Sequence, residues 1–88
     1  MSTPQVEIYT IDWCPYCARA RALFEAKGVS FTEIDVEAVP GARGEMTARG
    51  GGDTVPQIFI GGHAVGGCEE LHALEAAGRL DPLLRNGA

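Results

Sequence analysis

A chain of 88 residues has room for one hydrophobic core, because a chain this short buries only about 60 to 65% of the surface that its unfolded form exposes. With 45% apolar and 22% charged residues it has the balance of an ordinary folded domain, which excludes intrinsic disorder, and one domain over residues 1–88 is expected. A net charge of −5 offers no basic stripe to a polyanion, "MSTPQVE" lacks the basic flank and apolar core of a signal peptide, and no apolar run is long enough to cross a bilayer. A cytoplasmic monomer is expected, with neither nucleic acid nor membrane as partner.

Gln5 to Ile11 ("QVEIYTI") is rich in β-branched and aromatic residues and lies between Pro4 and Asp12, so the first element is a strand. The pattern changes at Pro15. "PYCARARALFEAKG" repeats Cys17, Ala20 and Phe24 at helical spacing and closes on Lys27-Gly28, which predicts a helix ending there. Val29 to Val36 ("VSFTEIDV") alternates and is β-branched, giving a second strand, and strand, helix, strand in about 30 residues predicts a parallel crossover unit. Pro40 suits the start of a second helix, but Gly41 and Gly44 in "PGARGEMTARGGG" keep it short and weak.

"VPQIFIGGHAVGG" places two apolar runs on either side of Gly61-Gly62, the pattern of a hairpin with a two-residue loop. Cys68, Glu69 and Glu70 then lead into "LHALEAAG", where early acidic residues complement the helix dipole and Gly78 supplies the stop. The order β-α-β-α-β-β-α predicts an α/β domain, a four-stranded mixed sheet flanked by helices.

Cys14 and Cys17 admit three readings: a structural disulfide, half of a metal site, or a reactive dithiol. A bridge between them closes a very small loop and so constrains the unfolded chain little, and three cysteines is an odd count for a disulfide scaffold. Zinc takes four ligands, and Cys68, His63 and His72 do not complete a set at the usual spacing, so no metal is expected. The dithiol reading suits the position. Cys14 falls where the first strand gives way to the first helix, and the free amides and positive dipole end of that helix favour a thiolate. Pro15 fits the first helical position, where no N–H partner is needed. Cys17 lies further inside the helix and is expected to be less exposed and to act as the resolving thiol.

Three separated motifs, "CPYC" after the first strand, "TVP" at Thr54-Val55-Pro56 and "GGCEE" from Gly66 to Glu70, make the chain resemble the glutaredoxins, above all the small bacterial dithiol members. The resemblance runs from Val6 to about Leu84. It implies a thioredoxin-like fold and an enzyme that reduces protein disulfides and glutathione–protein mixed disulfides at the expense of glutathione, the expected co-substrate. By resemblance Cys14 is the nucleophile that carries the glutathione adduct, Cys17 the resolving cysteine, and Tyr16 a lining residue of the glutathione groove. The proline matching Pro56 is cis in the family and sets Val55 so that its backbone pairs with the cysteinyl part of glutathione, while Thr54 borders the same groove. The helix start at Gly67, Cys68 and Glu69 binds the γ-glutamyl carboxylate, and Glu70 matches the side chain that holds the γ-glutamyl amino group. Arg43 falls where the family places a polar contact to the glycine carboxylate, with Arg49 a weaker candidate. The expected partners are glutathione and disulfide-containing or glutathionylated proteins.

Two departures bear on glutathione affinity. Ile11 stands where many members carry a lysine, and Glu70 is one methylene longer than the usual aspartate. One exposed charge contact is worth at most about 1 kcal/mol, so these changes touch affinity more than chemistry. Two rivals remain at this stage: a thioredoxin-like hydrogen donor charged by a flavin reductase, and an iron–sulfur carrier that bridges two subunits through Cys14 and glutathione. "GGCEE" opposes the first, and Pro15 with the Cys17 dithiol opposes the second. Cys68 reads as a small space-filling residue before it reads as a redox thiol. His63 and His72 read as solvated or packed histidines, and Arg19 and Arg21 as a solvated helix face. Trp13 reads equally as a rim residue that meets protein substrates or as a shield for the sheet end.

Overall fold

Strands and helices follow one another as β1 (Val6–Thr10), α1 (Pro15–Ala26), β2 (Thr32–Asp35), α2 (Ala42–Met46), β3 (Gln57–Ile60), β4 (His63–Gly66), α3 (Cys68–Ala76) and α4 (Leu80–Asn86). The computed structural model describes residues 4–86, and a π-turn, Thr47–Gly51, continues directly from α2. The four strands form one sheet in the order β2-β1-β3-β4, with β1 parallel to β2 and antiparallel to β3, and β3 antiparallel to β4. This is the mixed sheet that the chain pattern predicts.

The helix ends explain where the strands begin. Past the C-cap Lys27, Gly28 takes a left-handed φ of 69°, its N–H donates to Glu25 O at 3.1 Å, and the Val29 N–H donates to Phe24 O at 3.0 Å. That is a Schellman stop, and it engages the Val29 amide in the helix end rather than in a ladder. The second strand accordingly starts at Thr32, not at Val29. The same motif closes α3, where the Arg79 N–H reaches Leu74 O at 2.8 Å.

Side chains alternate across the two central strands and divide the core. On one face Val6, Ile8, Ile58 and Ile60 pack with Ala20 and Phe24 of α1, Leu71 of α3, and Leu80 and Leu84 of α4. On the other, Tyr9 and Phe59 pack with Val36, Ala42 and Met46. Because β1 and β3 are covered on both faces, "QIFI" is apolar throughout apart from its first residue, as buried strands are.

Helix α4 is absent from the order expected from sequence. It is a short helix with Pro82 in its first turn, too brief for its periodicity to stand out, although the proline removes only an N–H that has no intrahelical partner there. Tertiary packing sustains it: Leu80 is fully buried and Leu84 nearly so. Lys27 at the end of α1 adds ion pairs at 2.8 Å to Glu75 of α3 and to Asp81 of α4, which join three helices at one corner.

Candidate active site

The chain leaves β1 through a tight bend in which Trp13, at φ 50°, is the one described residue other than glycine with a left-handed backbone. Cys14 then caps α1. Its backbone is extended, its C=O accepts the Ala18 N–H at 3.0 Å, and its Sγ accepts the Cys17 N–H at 3.2 Å. A sulfur that receives a first-turn amide at the positive end of a helix is placed where negative charge is stabilised. Pro15 occupies the first helical position. Trp13 and Tyr16 flank the cysteine as exposed aromatics, Trp13 85% accessible, and Arg19 reaches over the Tyr16 ring at 5.9 Å.

Cys17 is fully buried on the same helix face as Ala20 and Phe24. Burial, and after it the hydrogen bond and charge of Cys14, push its thiol up to about 12. The two sulfurs thus differ in access: Cys14 is partly exposed and Cys17 is enclosed. Both are free thiols, as is Cys68, whose buried position at the first turn of α3 raises its pKa as well.

Against α1 lies an open cavity of about 300 Å³, with neither Cys14 nor Cys17 among its lining residues. One wall is Thr54, Val55 and Pro56, the segment that leads into β3, with the Val55–Pro56 peptide cis. The other wall is the start of α3, Gly67 to Glu70, and Tyr16 borders the cavity from α1. The walls meet closely at Gly67, where a Cβ would stand 3.3 Å from Pro56 O and 3.2 Å from Glu70 Oε1, so a larger residue would press the walls apart. The free amides of the first turn of α3 are available to an anion on this side.

With this geometry the comparisons with known proteins agree. The family model for glutaredoxin matches residues 6–65. The chain belongs to the glutaredoxin family. A curated glutaredoxin of Pseudomonas aeruginosa is 56% identical over 81 residues, covering 92% of this chain and 96% of that protein. The solution structure of a glutaredoxin from Brucella melitensis matches with a TM-score of 0.86 at 55% identity, over 100% of this chain and 96% of that one. A crystal structure of a buckwheat glutaredoxin–glutathione complex matches with a TM-score of 0.84 at 27% identity, over 92% of this chain and 76% of that one. The glutaredoxin therefore has the thioredoxin-like fold of its family and is a thiol–disulfide oxidoreductase.

The groove of this glutaredoxin brings together Tyr16, Thr54, Val55, Pro56, Gly67, Cys68, Glu69 and Glu70, residues scattered over three stretches of chain. Arg43 is not among its lining residues: it is exposed on α2, and its Nη1 donates to Asp53 O at 3.0 Å. Arg49 is also absent from the lining; its guanidinium is tied to Glu7 and Tyr9 under the sheet. Glu70 has a partner of its own, since its Oε1 accepts the Gly67 N–H at 2.7 Å. That contact is the returning half of a capping box and stabilises the start of α3. Ile11 lines a second, polar cavity with Thr10, Asp12, Trp13, Glu33 and Asp35 on the other side of the bend. His63 is exposed on β4 and His72 half-buried on α3, and neither lines the groove. Among the described residues no group of three or more His, Cys, Asp or Glu is placed to hold a metal ion.

Proposed function

We propose that this glutaredoxin reduces glutathione–protein mixed disulfides and protein disulfides with electrons from glutathione, in the reducing cytoplasm. The observation that carries the reading is a groove walled by the Thr54–Pro56 segment and the amide-rich start of α3 and bordered by Tyr16 of α1, the helix that Cys14 caps. The buckwheat relative in complex with glutathione supports that ligand. The Val55 backbone would pair with the cysteinyl part of glutathione, the first-turn amides of α3 would bind the γ-glutamyl carboxylate, and Glu70 would turn from Gly67 toward the γ-glutamyl amino group.

On a mixed disulfide the Cys14 thiolate attacks the glutathione sulfur, the bond to the protein sulfur breaks, and the protein thiolate leaves and takes a proton. A second glutathione thiolate then attacks the adduct, releasing oxidised glutathione and restoring the Cys14 thiolate. On a protein disulfide Cys14 forms the mixed disulfide with the partner, the Cys17 thiolate displaces that partner, and two glutathiones reduce the Cys14–Cys17 bond. A reduction potential of about −200 to −230 mV, typical of glutaredoxins, lets the glutathione pool drive both.

The test is reduction of a glutathione mixed disulfide by the purified protein with glutathione as the only reductant. Steady turnover supports the proposal. No turnover, with a dithiol that thioredoxin reductase still reduces, would transfer the protein to the flavin-charged donors.

The enclosed Cys17 sets a pH dependence on the second route alone. In a Cys14 mixed disulfide the neighbouring charge is gone, but burial, the larger cause, still holds the Cys17 thiol protonated at neutral pH. A raised pKa means less thiolate at a given pH, so release of a partner by Cys17 should accelerate about tenfold per pH unit between about pH 6 and 9. Stopped-flow release from a preformed Cys14 adduct, without free glutathione, reads this directly. A flat profile would show that another group removes the proton.

A further inference from the structure

Arg49, near the middle of the π-turn, is gripped from three directions on the face of the sheet that α2 covers. Its Nη1 and Nη2 donate to the two carboxylate oxygens of Glu7 at 3.2 and 2.7 Å, and Nη1 also donates to the Tyr9 hydroxyl at 2.7 Å. The guanidinium carbon lies 4.2 Å over the Phe59 ring. Tyr9 in turn donates its proton to Glu45 of α2. The ion pair is sheltered, with side-chain accessibilities of 27% for Arg49 and 20% for Glu7.

These partners sit together because Glu7 faces Phe59, and Tyr9 faces Gln57, across the β1–β3 ladder. The chain that leaves Arg49 thus returns to the same spot at Phe59, and the excursion 50–58 between them carries Thr54, Val55 and Pro56, one whole wall of the groove. That excursion begins with Gly50-Gly51-Gly52, residues that lose the most backbone freedom on ordering. No larger side chain serves to hold it at Gly51, where a Cβ would stand 2.9 Å from the Phe59 ring and 3.0 Å from Met46 O. The Thr47 hydroxyl donates to Gly52 O and Arg43 Nη1 to Asp53 O, each at 3.0 Å, on the excursion itself, while at its base the guanidinium ties the chain to the sheet, its planar fork pairing with the carboxylate and its face lying on the ring.

We propose that Arg49 is a positioning residue for glutathione: touching no ligand, it fastens the base of the 50–58 excursion to β1 and β3 and so holds Thr54 and Val55 where the tripeptide backbone pairs. The role rests on the glutathione reading above. Cys14 and α1 are outside this network, so loosening it weakens binding and leaves sulfur exchange intact.

The experiment is steady-state turnover of the mixed disulfide of glutathione and 2-mercaptoethanol, with glutathione as reductant. Arg49→Met, which keeps an apolar stem on Phe59, should raise KM about tenfold with kcat changed less than about twofold. Glu7→Gln should raise KM about threefold, Arg49→Lys should fall between the wild type and Arg49→Met, and the Arg49→Met/Glu7→Gln double variant should be no worse than Arg49→Met alone. Amide hydrogen exchange at residues 50–55 should quicken in the same order. Glu7→Gln and Arg49→Lys carry the test if the methionine variant does not fold. Unchanged KM in folded variants, even with a lowered melting temperature, overturns the positioning role, as does a fall in kcat at constant KM. Absence of glutathione-driven turnover in the wild type overturns the glutathione reading itself, and the positioning role with it.

Discussion

Replacing Cys14 by serine should reduce turnover of every disulfide substrate roughly a thousandfold or more, to the uncatalysed background. A serine hydroxyl at the cap still accepts the Cys17 N–H, so the fold and the groove persist, but an alcohol neither ionises near neutral pH nor exchanges with sulfur. Cys17→Ser should separate the two routes. Glutathione mixed disulfides should turn over as before, because glutathione resolves the adduct from solution, whereas reduction of a protein disulfide should stall at the mixed disulfide. Mass spectrometry of the Cys17→Ser protein after one exposure to a disulfide substrate should find the partner attached at Cys14. Retention of activity by Cys14→Ser would refute the assignment of the nucleophile.

Phe24→Ala should destabilise the protein by about 3 to 5 kcal/mol, a large part of the roughly 5 to 15 kcal/mol available to a domain of this kind. The ring is fully buried, shares the inner face of α1 with Cys17 and Ala20, and leans on Phe31 at a centroid distance of 6.0 Å. Its removal leaves a cavity between α1 and the sheet that the backbone cannot close. At about 4 to 8 °C per kcal/mol the melting temperature should fall by about 12 to 40 °C, which thermal and urea unfolding followed by circular dichroism would measure. A loss below about 1 kcal/mol would mean that the helix is not anchored through this face.

Much of this architecture is legible in the sequence because local physics and tertiary packing agree. "QVEIYTI", the Cys17-Ala20-Phe24 stripe, Gly28 and Gly78 as stops, and Gly61-Gly62 as a turn each carry a signal that the packed structure keeps. Disagreement falls where packing acts alone. Helix α4 exists through Leu80 and Leu84, which join the core cluster that also holds Val6 and Phe24, residues too distant in sequence to announce a helix of that length. The start of β2 shifts because the Schellman stop engages Val29, a hydrogen bond that alternation of residue types does not register.

The site divides in the same way. The cysteine pair, the Thr54–Pro56 segment and the start of α3 were nameable because each depends on local backbone chemistry at a turn or a helix end. The destinations of long cations were not. Arg43 and Arg49 are both plausible anion contacts by position, yet side-chain direction sends one to Asp53 O and the other beneath the sheet to Glu7. Glu7 carries no sequence signal of its own, being separated from Arg49 by most of β1, by α1, β2 and α2, and by the loops between them.

The two outer strands of the sheet have a consequence for how the protein keeps company. β2 ends the sheet on one side as four residues with two carboxylates, Glu33 and Asp35, and β4 ends it on the other as four residues whose pairing with β3 is broken by a register shift. Short, charged or kinked borders recruit foreign strands poorly. A partly opened chain that came to this thiol–disulfide oxidoreductase would find little bare sheet margin to adhere to, and a sulfur–sulfur bond made in such an encounter would be free to be undone without a strand left behind.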